Sequence, residues 1–436
     1  MPAVGIDFGT TNSVISTVTD TGDLETTVFA RPEGAETIFP TQMTYWQEET
    51  ARGRNATQVE AGQWAVDAFM ANSPDCRFLK SIKTFAASPN FTGTTIYGVR
   101  HEYSDLMRTF LARMLAHAEG GPSASRGSVV VGRPIRFAGV GAQADLAMTR
   151  YQTALRALGF SDLRTVYEPL AAAYYFVRDL QGSATIFVGD FGGGTTDYSI
   201  IRLTHSQGKI KFEPLAARGL GLAGDRFDAR IVQHLVAPAL GKGTTYRSFD
   251  KLLEIPNLYY SKLSQWSEFS NLRGSNTYRE IKALRARSTS PDLLDRFIHF
   301  IESEMHYELS TRIAQVKKAL STQPASRFTL EFEGGRIDET LTRTDFESWI
   351  APDIQKLDAL IDETLDEAGL TAGDIDSVFL TGGTSMVPLV SDMFRSRFGN
   401  RLESSQEQLV SVSKGLALIA QDDNADEWIA DRRVSL

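Results

Sequence analysis

Hydrophobic residues along the chain fall into two spacings. Short apolar runs occur at Val4 to Phe8, Ser128 to Gly132, Thr185 to Val188 and Ser377 to Leu380. Runs of this length read as strands covered on both faces. Ser13 to Val18 reads as the hairpin partner of the first run, with a turn at Asp20 to Gly22. Other stretches carry helical periodicity. These are Gly141 to Leu158, ended by Gly159; a stretch rich in alanine and tyrosine opened by Pro169, which suits a first helical turn; Asp225 to Leu240; Glu302 to Leu320; and Asp345 to Ala368. From about Gly241 to Ser290 the chain turns polar, with scattered tryptophan and tyrosine, and reads as an insertion with its own helices. The last residues, Asp422 to Leu436, are polar and expected to be loosely held. Strands alternating with helices make the class α/β.

Two of the strand ends repeat each other. Ile6-Asp7-Phe8-Gly9-Thr10-Thr11-Asn12-Ser13 and Gly189-Asp190-Phe191-Gly192-Gly193-Gly194-Thr195-Thr196-Asp197 both run from a buried strand into Asp-Phe-Gly, then Thr-Thr and a short polar residue, then another strand. One copy in each half suggests two halves built on one plan. Glycines let backbone N–H groups approach an anion, and threonine hydroxyls add short hydrogen bonds to phosphate oxygens. Aspartate repels bare phosphate, so its presence implies a cation between them, and a hydrated Mg²⁺ suits that arrangement. A pair of glycine-turn hairpins is the plainer reading of either loop alone; the matched pair weighs against it.

Bulk properties narrow this only slightly. At 436 residues the chain is long for one core and fits two lobes. A net charge of −9 argues against a general nucleic-acid binder. The single cysteine, Cys76, excludes an internal disulfide and fits a reducing cytoplasm. The first residues carry no basic stretch followed by an apolar run, and no run nears the ~20 residues that span a bilayer, so neither signal peptide nor membrane partner is expected. His299 and His306 are read as sharing a helix face, two turns apart with no cysteine nearby, which suits a solvated or core role better than a metal.

At the two loops the chain resembles the actin-like ATPase superfamily, and within it the seventy-kilodalton heat-shock chaperones. Gly5 to Ser13 is similar to that family's first phosphate loop and Asp190 to Asp197 to its second. Tyr167-Glu168-Pro169-Leu170-Ala171-Ala172-Ala173 resembles its connecting element, and Leu380-Thr381-Gly382-Gly383-Thr384-Ser385 its adenosine-side turn. Val131-Gly132-Arg133-Pro134-Ile135-Arg136-Phe137 and Phe78 to Phe85 resemble the YegD-like chaperones, which lack a peptide-binding domain. Sixteen residues follow Ala420, with no leucine-rich linker or β-sandwich among them, so that domain is not expected here.

The resemblance implies a duplicated ribonuclease-H-like fold, two lobes around a nucleotide cleft. Lobe one is expected at residues 1–184 with a C-terminal helix near 409–436, and lobe two at 185–408 with the insertion at 241–300. The chain is expected to cross between them after Glu168 and near Ser404. It also implies binding of ATP and ADP with Mg²⁺, slow hydrolysis and lobe closure, in a cytoplasmic monomer with an unidentified protein partner or client. Asp7 and Asp190 are expected to hold Mg²⁺ through water. Lys83, with Lys80 as the alternative, is expected to reach the γ-phosphate. Thr195 is expected to contact that phosphate or order the attacking water, and Glu168 and Asp197 to orient that water or act as a weak base. Gly9, Thr10, Thr11, Asn12, Gly192, Gly193, Gly194 and Thr196 complete the phosphate grip.

On the adenosine side the resemblance implies Gly224, Lys317, Ser321, Gly382, Gly383, Thr384 and Met386. Two positions depart from the family. Ala314 stands where it often has an acidic ribose contact, and Met386 where it often has an arginine stacked on adenine. Methionine covers a base by dispersion without the cation–π contribution of about 0.5–2 kcal/mol.

Two rivals remain: a small-molecule kinase of the same superfamily, and a non-hydrolysing nucleotide-dependent interaction or filament protein. Gly219-Leu220-Gly221-Leu222-Ala223-Gly224 also spells a dinucleotide fingerprint, but no acidic residue follows at the required distance. The resemblance makes it a glycine turn facing the nucleotide.

Overall fold

The computed structural model describes residues 3–32, 34–49, 55–72, 75–118, 128–135, 137, 141–160, 162–177, 182–206, 209–264, 269, 272–303, 305–403 and 409–422. Arg136, the expected crossing near Ser404 and the tail from residue 423 onward lie outside these residues.

Two sheets repeat one plan. In the first, Ala3–Phe8 pairs antiparallel with Asn12–Val18, which pairs antiparallel with Leu24–Thr26. On its other side Ala3–Phe8 pairs in parallel with Ser128–Arg133, and that strand with Asp162–Tyr167. In the second, Gly182–Phe191 pairs antiparallel with Thr196–Ser206, which pairs antiparallel with Lys209–Leu220. Here too the first strand has a parallel neighbour on its other side, Ser377–Thr381. The repeated loops join equivalent strands: Phe8 is opposite Ser13 as Phe191 is opposite Thr196. The sequence repeat is therefore the visible part of a structural one.

Two helices fill one apolar core with both sheets. Leu170 to Ala173 of helix Glu168–Val177 and Val412, Leu416, Ala417 and Ile419 of helix Ser411–Gln421 are buried with Val130 and Val166 of the first sheet and Ile186, Val188 and Ile201 of the second. The helices touch through small residues. A Cβ on Gly415 would sit 1.8 Å from the carbonyl oxygen of Ala171, a backbone atom that cannot turn aside. Gly415→Val is therefore expected to cost about 3 kcal/mol or more, read as a lower thermal midpoint; an unchanged midpoint would contradict this packing.

The chain divides into two compact units. The first comprises Met1–Gly221, Leu360–Ser385 and Phe394–Leu436 and holds both sheets; the second comprises Leu222–Ala359 and Met386–Met393. No helix among the described residues is long and apolar enough to cross a membrane.

Several elements differ from their sequence signals. Glu302 to Leu320 is not one helix: Pro291–Glu302 ends and His306–Leu320 begins anew, so His299 and His306 belong to different helices. Asp225 to Leu240 runs as Gly224–Ile231, a wide turn at Val232–Val236, and Ala237–Ala239. Pro238 explains the wide turn, since it has no N–H and its ring crowds the carbonyl four residues back. The antiparallel pairs Gln42–Glu49 with Asn55–Ala61 and Ala325–Phe332 with Gly335–Thr342 were not foreseen.

Candidate functional site

The site is built in the first unit, where strand ends from both sheets carry carboxylates. Asp7 is the next-to-last residue of one strand and Asp190 of its counterpart. Glu168 is the first residue of the helix that follows Asp162–Tyr167, and it is buried. Asp197 lies directly opposite Asp190 in the second hairpin.

Lys83 arrives from a separate piece of chain. Strand Arg77–Lys80 pairs with Gln42–Glu49, then Ser81 takes a left-handed conformation (φ 58°) and turns the chain into the short helix Ile82–Phe85. Thr41 fixes this turn to the first loop. Its N–H donates to the Thr11 carbonyl at 2.7 Å, its carbonyl accepts from Ser81 N at 3.2 Å, and its hydroxyl meets that of Ser13 at 2.9 Å. The result is an ion pair in which Lys83 Nζ donates to Glu168 Oε1 at 2.7 Å, with the side chains only 10% and 6% exposed. Lys80 ends the preceding strand and does not form this pair.

The remaining polar groups hold one another. Thr381 Oγ1 donates to Asp190 Oδ1 at 2.7 Å, and Thr195 Oγ1 to Asp197 Oδ2 at 3.2 Å. Gly192 N–H donates to the Thr195 carbonyl at 2.9 Å and closes the second loop. The adenosine-side turn lies directly on that loop. Thr384 Oγ1 donates to Gly192 O at 3.4 Å, and a Cβ on Gly382 (φ 82°) would sit 2.0 Å from Phe191 O. Space for the carboxylates is made by missing side chains. A Cβ on Gly219 would lie 2.5 Å from Asp197 Oδ1, and one on Gly132 2.8 Å from Glu168 Cγ. The first glycine of the dinucleotide-like motif thus serves the carboxylate on the neighbouring strand. In the first loop, Gly9, Thr10 and Thr11 are half-buried and Asn12 exposed; Gly193, Gly194 and Thr196 complete the second loop and the start of its strand.

Charge in this site is unbalanced. Burial, and then the charges of Glu168 and Asp190 working against Lys83, push Asp7 up to about 8. Burial and the charges of Asp190 and Glu168 push Asp197 up to about 7, against the Thr195 hydrogen bond. Burial also raises Glu168, against the pull of Lys83. Burial works against the charge on Lys83, but Glu168, Asp7 and Asp190 outweigh it and hold the ammonium above its usual range. Four carboxylates around one lysine leave an excess of negative charge that a low-dielectric site disfavours.

In the second unit, Lys317 Nζ donates to Asp228 Oδ1 at 2.6 Å and to Gly224 O at 3.5 Å. Ser321 caps the same helix and donates to Lys317 O at 3.4 Å. Met386 ends a short helical turn and is 49% exposed.

A family model described as Hsp70 protein matches residues 105–248 and 299–427. A chaperone protein HscA homolog from Burkholderia pseudomallei is 26% identical over 98% of this chain and 60% of its own length. The chaperone protein DnaK of Thermus thermophilus is 27% identical over 96% of this chain and 60% of its own. The chain therefore spans about 60% of the length of these curated relatives.

Proposed function

The chain belongs to the Hsp70 family, and we propose that it binds ATP with Mg²⁺ and hydrolyses it slowly to ADP and phosphate. Its paired sheets are the duplicated actin-like fold of that family's ATPase domain. The observation that carries the activity is the ring of carboxylates from both repeats around the Lys83–Glu168 pair.

The donor set fits a magnesium ion kept in its water shell. It consists of carboxylate oxygens and carries excess negative charge, which suits a hard divalent cation. Asp7 and Asp190 would hold the ion through water, and when bound it would offset the charge of the β- and γ-phosphates. Lys83 supplies a fixed positive charge to the γ-phosphate. Glu168 and Asp197 accept hydrogen bonds from the attacking water, and Thr195 orients it from the second loop. Gly9 to Asn12 and Gly192 to Thr196 supply backbone and hydroxyl donors to the other phosphate oxygens. Water then forms a bond to the γ-phosphorus as the bond to ADP breaks, and catalysis rests on positioning and charge. Gly382, Gly383 and Thr384 would close over the α-phosphate and ribose. Binding at both loops would couple the two sheets and make the protein a switch for a protein partner or client.

Phosphate release from ATP with no added acceptor tests this reading directly; release only with a small-molecule acceptor would favour a kinase. Thr195→Ala is expected to slow turnover about tenfold while ATP affinity changes less than about twofold. Equal losses in both would make Thr195 a binding residue only.

A further inference from the structure

Lys83 sits in a single short turn, Ile82–Phe85, which is too short to hold itself in place. Thr41 and Ser81 fix its entry. Its exit runs through Ala86 and Ala87, both buried, toward Phe91, and the carbonyls of this stretch need donors. One helix supplies several. At the start of helix Ala144–Arg156, Gln143 N–H donates to Ala87 O at 2.9 Å. Two turns further along, Arg150 Nη1 donates to Phe85 O, Ala86 O and Ser88 O at 3.0, 2.8 and 3.1 Å, and its Nη2 donates to Phe91 O. Its guanidinium carbon also lies 5.4 Å from the ring centroid of Tyr103, the first residue of helix Tyr103–His117.

Arginine suits this arrangement. The guanidinium carries five donors in a planar fork, has no acceptor and keeps its charge, and converging carbonyl dipoles favour a cation. Two of the carbonyls belong to the end of the turn itself. Phe85 is its last residue, and Ala86 closes it by donating its N–H to Lys83 O at 3.0 Å. Arg150 therefore grips the backbone next to Lys83 directly, from a different helix.

We infer that Arg150 is a positioning residue for Lys83. It clamps the exit of the Ile82–Phe85 turn to helix Ala144–Arg156, as Thr41 clamps the entry, and so keeps Lys83 Nζ where it meets Glu168. This rests on the proposed ATPase reading. On that reading Arg150 acts on turnover only through Lys83, because its donors are directed at backbone carbonyls.

The test joins two measurements on the whole chain, each protein first checked for folding by thermal melting. Hydrogen–deuterium exchange without nucleotide follows the amides of residues 82–91 in the parent, Arg150→Met and Arg150→Lys. Steady-state ATP hydrolysis with Mg²⁺ follows the same proteins, Lys83→Ala, and each Arg150 variant combined with Lys83→Ala. Methionine keeps an apolar stem beside Tyr103 and has no donor; lysine keeps the charge without the fork. Exchange in residues 82–91 is expected to be about tenfold faster in Arg150→Met, with smaller changes elsewhere in the first unit. Its kcat is expected to fall about tenfold, with an intermediate value in Arg150→Lys. On the Lys83→Ala background, Arg150→Met is expected to lower kcat less than about twofold further. Parent-like exchange or a parent-like kcat in folded Arg150→Met overturns the inference. So does a tenfold loss that persists on the Lys83→Ala background, because Arg150 would then act by another route. If Arg150→Met does not fold, Arg150→Lys carries the same comparisons; failure of both to fold overturns the positioning role in favour of a structural one. A parent chain that releases no phosphate defeats the ATPase reading itself, and the exchange measurement then still decides whether Arg150 clamps the turn.

Discussion

Lys83→Ala is expected to lower kcat for ATP hydrolysis by about 10²–10³-fold, the loss typical of removing one preorganised donor from a site of developing charge. Two effects add. On the proposed reading the γ-phosphate loses its fixed cation, and Glu168, buried and bonded to Lys83 at 2.7 Å, loses its partner. A buried carboxylate without its counter-ion takes up a proton, and a protonated Glu168 is a poor acceptor for water. Lys80→Ala is the control. Lys80 ends strand Arg77–Lys80, before the left-handed turn at Ser81 that delivers Lys83 to the site. Its replacement is expected to change kcat less than about threefold, because it leaves the Lys83–Glu168 ion pair in place. Measuring both by phosphate release separates the two lysines, and a larger loss in Lys80→Ala would reverse the assignment.

That choice between neighbouring lysines shows how far the sequence reaches. The loops at Asp7 and Asp190 were legible because each is a local pattern: an apolar run, an acid, glycines and threonines in fixed order. The helix opening at Glu168 was legible from Pro169 and the alanines behind it. Contacts that join distant segments leave no local mark. Thr381 and Asp190 are bonded across 191 positions, and no spacing rule links them. Gly219 lies beside Asp197 only because two antiparallel strands align them, yet within the linear chain it belongs to a different motif. Arg133 was quoted within a motif, but that its charge is buried appears only when strand alternation places it on the face of Val129 and Val131. The unforeseen hairpins fail for another reason. Asn55–Ala61 is mostly part-exposed and polar, so it lacks the alternation that marks a half-buried strand.

The charge imbalance of the site also makes stability depend on pH in a direction opposite to the usual acid denaturation. Asp7 is pushed from 3.8 to about 8, first by burial and then by Glu168 and Asp190, with Lys83 opposing. A group whose pKa is raised on folding stabilises the fold while it is protonated in both states. That contribution is full below pH 4 and is lost as pH rises toward 8. Asp197, raised to about 7, acts in the same direction. At ~1.4 kcal/mol per unit, Asp7 alone is expected to withdraw on the order of 5 kcal/mol between pH 4 and pH 8 in protein without nucleotide or magnesium. Asn at this position is neutral throughout and imitates the protonated acid. Asp7→Asn is therefore expected to match the parent near pH 4 and to exceed it by several degrees in thermal midpoint at pH 8. A cation beside Asp7 reverses the order, because it favours the carboxylate. With Mg²⁺ and ATP present at pH 8, the parent is expected to gain stability and Asp7→Asn to gain far less. Thermal melts at pH 4 and pH 8, with and without Mg²⁺ and ATP, measure all four states. A difference between the two proteins that stays constant across pH would falsify the raised pKa, and equal stabilisation of both by Mg²⁺ and ATP would remove Asp7 from the metal site.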